Sequence, residues 1–259
     1  MRRALICILI GACVGMLAGL TGVGGGVFLV PLLVGVLYLS QYEAHGTSLA
    51  VIFPMALVGA IMYGVMGYFK WDLFLLLSFG GVIGAFAGAR LMTYVPERRL
   101  QWFFGLFLIC VGFVMVLTHS ADSAAGAEYK IRAWQYFEFI VAGLVAGFLS
   151  GVLGVGGGVV LIPMMVLLIG VDQHTAQGIS LAVIAMITFF GAFTHSRQKN
   201  VRADVAWLLV PSAVIYGLIG TIVAGHVNGN ILRDIVGVIV VIVGVLTVFR
   251  DWRSGGMAS

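Results

Sequence analysis

Charged and strongly polar residues fall in clusters along this chain. Between the clusters lie ten almost wholly apolar segments, at about 4–20, 23–39, 46–69, 72–92, 100–118, 132–153, 155–170, 178–196, 204–225 and 232–250. Runs of this length and apolarity predict membrane helices, because an open sheet leaves backbone groups unsatisfied in lipid. Some are short for a full crossing. A run of 16 or 17 residues covers about 25 Å of a hydrocarbon core roughly 30 Å thick.

The ten segments are five segments written twice. "GMLAGLTGVGGGVFLVP" (Gly15 to Pro31) aligns with "GFLSGVLGVGGGVVLIP" (Gly147 to Pro163), an offset of 132 residues from Gly24 to Gly156. The offset persists without a gap. "AHGTSLAVI" falls on "AQGISLAVI", Asp72 on Asp204, and Gly105 and Gly112 on Gly237 and Gly244. An internal repeat of this extent predicts one membrane domain over 1–259, with repeat 1 at about 4–118 and repeat 2 at about 132–250. It also bears on the N-terminus, which imitates a secretory signal and carries "IGAC" before Cys13. The mid-chain copy at about 143–170 cannot be such a signal, so its partner at 11–38 is expected to belong to the mature protein.

Charge orients the segments. With five crossings per half and the N-terminus inside, Arg2, Arg3, Arg90, Arg98, Arg99, Arg197, Lys199, Arg202, Arg250 and Arg253 are cytoplasmic. Lys70, Lys130, Arg132 and Arg233 lie outside, a ratio of ten to four. Fusing the first two segments of each half gives the same ratio, so placement has to discriminate. The basic loop "PERRL" aligns with the nearly neutral "NGNIL", and "RQKNVR" aligns with "VMGYFK". The basic bias therefore moves to a different loop in the second half, as inverted repeats require. The expectation is an all-α polytopic bundle of two inverted repeats in the inner membrane, about five segments each, with both termini cytoplasmic. A re-entrant hairpin at the first two segments keeps the same parity.

Composition agrees, with 61% hydrophobic and 9% charged residues, too few polar groups to cover a soluble globule of this size. The net charge of +4 resides in loops, where it serves orientation and not nucleic acid. Cys7, Cys13 and Cys110 sit in apolar segments with no C-x-x-C pair, so packing is their expected role and no metal or cofactor is expected. No nucleophile and base pair, second buried carboxylate or histidine pair is evident, which argues against a catalytic site.

The glycines divide into two patterns. Gly11, Gly15 and Gly19, their copies Gly143, Gly147 and Gly151, and Gly80, Gly84 and Gly88 form G-x-x-x-G ladders that let helices approach closely. The clusters Gly22, Gly24, Gly25, Gly26 and Gly154, Gly156, Gly157, Gly158 fit no ladder. Neither phosphate-loop spacing holds, since no lysine follows Gly26 or Gly158 and valines occupy the third-glycine position. Each glycine costs a helix about 1 kcal/mol, so the chain is expected to unwind there and restart. A restarting helix offers free amides and a favourable dipole to an anion; a packing hinge is the competing reading. Paired interruptions in two inverted halves are the arrangement expected of secondary transporters, with substrate between them.

Ser48 and Ser180 are equivalent by the repeat, and bind either oxyanion oxygens or their own helix carbonyls. Further candidates are Thr21, whose counterpart is Leu153, with His45, Thr47 and Gln177. Arg90 either assists an exiting anion or snorkels to the cytoplasmic surface. Glu138, beside Trp134 and Tyr136, is expected in an interfacial belt, with proton coupling as its alternative. His195 and Arg197 adjoin a basic loop, where solvation is expected.

"GVGGGVFLVP" and "GVGGGVVLIP", each followed by "SLAV" in a duplicated chain of this length, resemble the TauE/SafE family of membrane proteins. The resemblance implies export of sulfite, sulfoacetate or a related small sulfur oxyanion. The expected function is thus a secondary-type transporter of a small anion in a lipid bilayer. The alternative is a membrane enzyme or assembly partner in sulfur metabolism without transport. Oligomeric state and coupling ion have no signature in the chain.

Overall fold

The structure, a computed structural model, describes residues 2–117, 133–165 and 171–227, with seven further residues between 238 and 248. Lys130, Arg132, Arg233, Arg250, Arg253 and Gly237 lie outside the described residues, as does most of the last expected segment. The described residues form no strand and nine helices: α1 (Arg2–Thr21), α2 (Gly26–Gly35), α3 (Gln41–Val65), α4 (Trp71–Met92), α5 (Glu97–Leu117), α6 (Ala133–Leu153), α7 (Gly158–Met164), α8 (Gln173–Arg197) and α9 (Ala203–Ala224). Six of them, α1, α3, α4, α6, α8 and α9, are long and apolar enough to cross a membrane.

The ladders find partners in the opposite half. Gly11 of α1 lies against Leu209 and Ser212 of α9, Gly15 against Ala213, and Gly19 against Gly217 and Thr221, so α1 and α9 run parallel. The second pair repeats this, with Gly80 of α4 on Ile140 of α6, Gly84 on Leu144 and Gly88 on Phe148. At each of these glycines a Cβ would collide with the facing helix, which is why only glycine fits. By the 132-residue offset α6 is the copy of α1 and α9 the copy of α4. Each half thus lends its first helix to the fourth helix of the other.

The central pair, α3 and α8, are also copies of one another, and they run antiparallel. Gly178, near the start of α8, meets Tyr63 near the end of α3, while Gly46, near the start of α3, meets His195 near the end of α8. Both helices start on a side-chain cap. Ser40 and Glu43 make a reciprocal capping box, and Asp172 accepts the Thr175 amide at 3.0 Å.

Two ion pairs gather helix starts at one end of the bundle. Arg202 meets Glu43 at 3.3 Å and Arg3 meets Asp204 at 3.8 Å, which places the beginnings of α1, α3 and α9 together. Because α1 and α3 begin at the same end, α2 must return to it. It has 10 residues, about 15 Å of rise against a core of roughly 30 Å. The second segment is therefore a half-length helix folding back, the hairpin that keeps the parity, and not a full crossing.

Candidate functional site

Helix α1 stops at Thr21 and α2 starts at Gly26. Between them the backbone turns left-handed at Gly22 (φ 69°), Gly24 (φ 91°) and Gly25 (φ 74°). The second half repeats the path at Gly154 (65°), Gly156 (90°) and Gly157 (82°). Any side chain bearing a Cβ would cost roughly 1–2 kcal/mol at each of these positions. The glycines therefore write a specific route for the backbone and not mere looseness.

The two breaks touch. A Cβ on Gly26 would lie 2.5 Å from the Gly154 carbonyl oxygen, and one on Gly158 would lie 2.7 Å from the Val23 carbonyl oxygen. Ser48 donates to the Gly154 carbonyl at 3.0 Å and Ser180 to the Gly22 carbonyl at 3.1 Å. The serines thus bond neither their own helix carbonyls nor open space; each holds the opposite half's break. The residues from Thr21 to Val30 and from Leu153 to Val159 are all buried.

The amides in these buried turns are only partly used. Gly22 N–H donates to Ala18, Val23 N–H to the Thr21 hydroxyl, and Phe28 and Leu29 N–H both to Gly25. The amides of Gly24, Gly25, Gly26 and Val27 have no acceptor among the described residues, nor do those of Gly156, Gly157, Gly158 and Val159. An unmade hydrogen bond at a buried donor costs about 1–3 kcal/mol, so these amides favour an acceptor-rich ligand or water. Beside the first break is a largely apolar cavity of about 390 Å³, bounded by Phe28 near the glycines and Gln41 at the Glu43 end.

The other candidates separate. Gln177 packs on Gly22, donates to the Leu20 and Thr21 carbonyls at 3.3 Å each, and accepts from the Tyr63 hydroxyl at 2.8 Å. His45, its copy, packs on Gly154. Thr47 accepts the Arg202 amide at 2.9 Å and so fixes the α8–α9 turn. Arg90 is exposed, its guanidinium 4.1 Å from the Phe86 ring centre, away from both breaks. Glu138 is exposed as well.

His195 corrects an expectation. It is fully buried, with Nε2 3.0 Å from the Gly151 carbonyl, instead of solvated in its basic loop. Gly46 of α3 lacks the side chain that would crowd it, since a Cβ there would lie 3.1 Å from the Cβ of His195, and the α6 backbone offers the Gly151 carbonyl. Gly46, next to His45 in the chain, lies against the Cβ of His195, so two histidines come close where the segments gave no sign of a pair. Ile52 and Ile184 join the site as well, and their spacing is the signal for them, since they lie four residues after Ser48 and Ser180 and hence on the same helix face. Ile184 lies against Gly24, Gly156 and Gly158, and Ile52 against Gly156.

A family profile described as "Sulfite exporter TauE/SafE" matches residues 1–115 and 139–258. A probable membrane transporter protein of Xylella fastidiosa (strain Temecula1) is 25% identical over 247 residues, covering 94% of each chain. One from Methanocaldococcus jannaschii is 26% identical over 219 residues, covering 82% of this chain and 80% of its own. The Bacillus subtilis protein YunE, also a probable membrane transporter, is 24% identical over 266 residues, covering 95% and 97%. No solved structure matches.

Proposed function

The chain belongs to the TauE/SafE family of membrane transporters, and from that premise we propose that it exports a small sulfur oxyanion, sulfite or a sulfonate such as sulfoacetate, across the inner membrane. The observation that carries the reading is the contact between two copies of one glycine break, buried mid-bundle with unpaired amides on both. Free amides at an interrupted helix suit a negative solute, and a dry, low-dielectric setting strengthens that attraction. Metal and cofactor play no part in this reading.

The two halves act as inverted repeats. The antiparallel course of α3 and α8, and the exchange of α1 with α9 for α6 with α4, support this arrangement. Among the described residues, Arg3, Arg90, Arg98, Arg99, Arg197, Lys199 and Arg202 belong to the Glu43 end and Lys70 to the opposite end. That asymmetry favours a cytoplasmic Glu43 end and N-terminus. Transport then rocks one half against the other about the breaks.

Efflux from loaded liposomes tests the reading. Purified protein should release sulfite or sulfoacetate faster than empty vesicles, and Gly25→Leu should abolish the difference while still inserting. If no anion in a broad panel moves, the transporter is not of this kind.

A further inference from the structure

The two ends of the α3–α8 pair are chemically unlike, although they are copies. At the Lys70 end the pair is Tyr63 and Gln177, and at the Glu43 end the same positions hold His195 and His45. Tyr63 and Gln177 satisfy each other and the Gly19, Leu20 and Thr21 carbonyls, with contacts from 2.8 to 3.5 Å. Neither group changes charge near neutral pH. The histidines are not satisfied. His195 Nε2 lies against the Gly151 carbonyl, which can only accept, so that nitrogen carries the proton and Nδ1 presents a buried lone pair without a partner. Neither ring nitrogen of His45 makes a well-formed hydrogen bond, the Leu153 backbone being the polar group that faces it.

We infer that His45 and His195 form a proton-binding site that is occupied together with the anion in the adjoining glycine break. The inference rests on the anion reading above and adds its coupling ion. Contact supplies the linkage, since a Cβ on Gly154 would lie 2.7 Å from His45 Cα. A positive charge on the pair therefore stands directly beside the second break. Proton and anion each favour the other, and by linkage each raises the other's affinity by the same factor.

The surroundings leave the pair alone to respond to pH. From α5 the Phe104 ring meets His45 edge-on at 5.6 Å, and from α6 the neighbours are the Gly151 and Leu153 backbones. The α8–α9 turn brings the Asn200 carbonyl against Gly46. The charges of this end are engaged elsewhere. Glu43 pairs with Arg202, Asp204 with Arg202 and Arg3, Arg197 lies over Phe193 and Arg90 over Phe86. Arg98, Arg99 and Lys199 are exposed.

The repeat itself designs the test, because His45→Gln with His195→Tyr turns this end into a copy of the other. Thermal melting of the full chain in detergent needs no known cargo. Methanesulfonate, which stays singly charged between pH 7 and pH 5, should raise the wild-type melting temperature about 3 °C more at pH 5 than at pH 7, because binding the anion takes up a proton, and the double variant's rise should not change with pH. His45→Gln alone keeps the His195 to Gly151 bond and serves if the double variant misfolds. A methanesulfonate shift with the same pH dependence in wild type and variant overturns the proton site. Methanesulfonate that stabilises neither protein at any pH refutes the coupling and counts against the anion reading, which a pH-independent shift would leave standing.

Discussion

The Ser48 hydroxyl lies 3.0 Å from the carbonyl of Gly154, a residue of the other half, and the bond recurs as Ser180 to Gly22 at 3.1 Å. Each break is thus held by the helix of its opposite number. Ser48→Ala and Ser180→Ala should each destabilise the protein by about 1–3 kcal/mol, because a buried carbonyl loses its donor. The two losses should be similar in size. Melting curves of both variants check this, and a large inequality would show that the bonds are not equivalent in strength.

Three glycines separate backbone strain from crowding. Gly25 has φ 74° and a Cβ there would lie 2.9 Å from Val14 and 3.0 Å from Ala18; Gly67 has φ 86° with open space around it; Gly64 is helical with open space. Gly25→Ala should cost about 2–4 kcal/mol, and Gly67→Ala about 1–2. Gly64→Ala should raise stability by about 0.5–1 kcal/mol through helix propensity. The order of the three melting temperatures is the measurement.

The ion pairs of the Glu43 end should respond to acid and salt. Hydrogen bonds to Asp204, and then to Glu43, lift the Arg202 guanidinium above its ordinary range, so Arg202 keeps its charge throughout. Hydrogen bonds from Arg202 hold the Asp204 carboxyl below its ordinary range, so its share of the network is present at neutral pH and lost only as pH falls below that range. Glu43→Gln should cost under about 1 kcal/mol at low salt and nothing measurable at high salt, the pair being partly exposed. A series of melts at two ionic strengths reads this out.

Sidedness follows from the basic residues. In a background with Cys7, Cys13 and Cys110 changed to Ala, Lys199→Cys should react with a membrane-impermeant thiol reagent only from the cytoplasm. Lys70→Cys should react only from outside. The opposite pattern would reverse the bundle and with it the direction of export.

Much of this arrangement is legible in the residues, and for local reasons. Glycines at Gly24, Gly25 and Gly26 oppose a helix whatever surrounds them, and the 132-residue offset announces a second copy at Gly156, Gly157 and Gly158. The ladder at Gly11, Gly15 and Gly19 likewise declares a close helix partner. Which partner is not a local property. Nothing near Gly15 names Ala213, and nothing near Ser48 names Gly154. His195 departs from its expected place for the same reason. Its neighbours in sequence are basic and solvated, whereas in space it lies against the bare Gly46 and the Gly151 carbonyl. The length of α2 fell between these cases, since "VFLVP" announces a restart but not where the helix will stop.

The exchange of first and fourth helices has a bearing on biosynthesis. A newly made α1 enters the bilayer with its row of bare backbone facing no protein, and its mate α9 has yet to be translated. At ordinary ribosome speeds the wait is on the order of ten seconds or more. During that interval α1 depends on lipid, on the insertion machinery or on α3 to shield its glycine face, so the hazard of mispairing is greatest before the chain is finished, and truncated copies should be degraded.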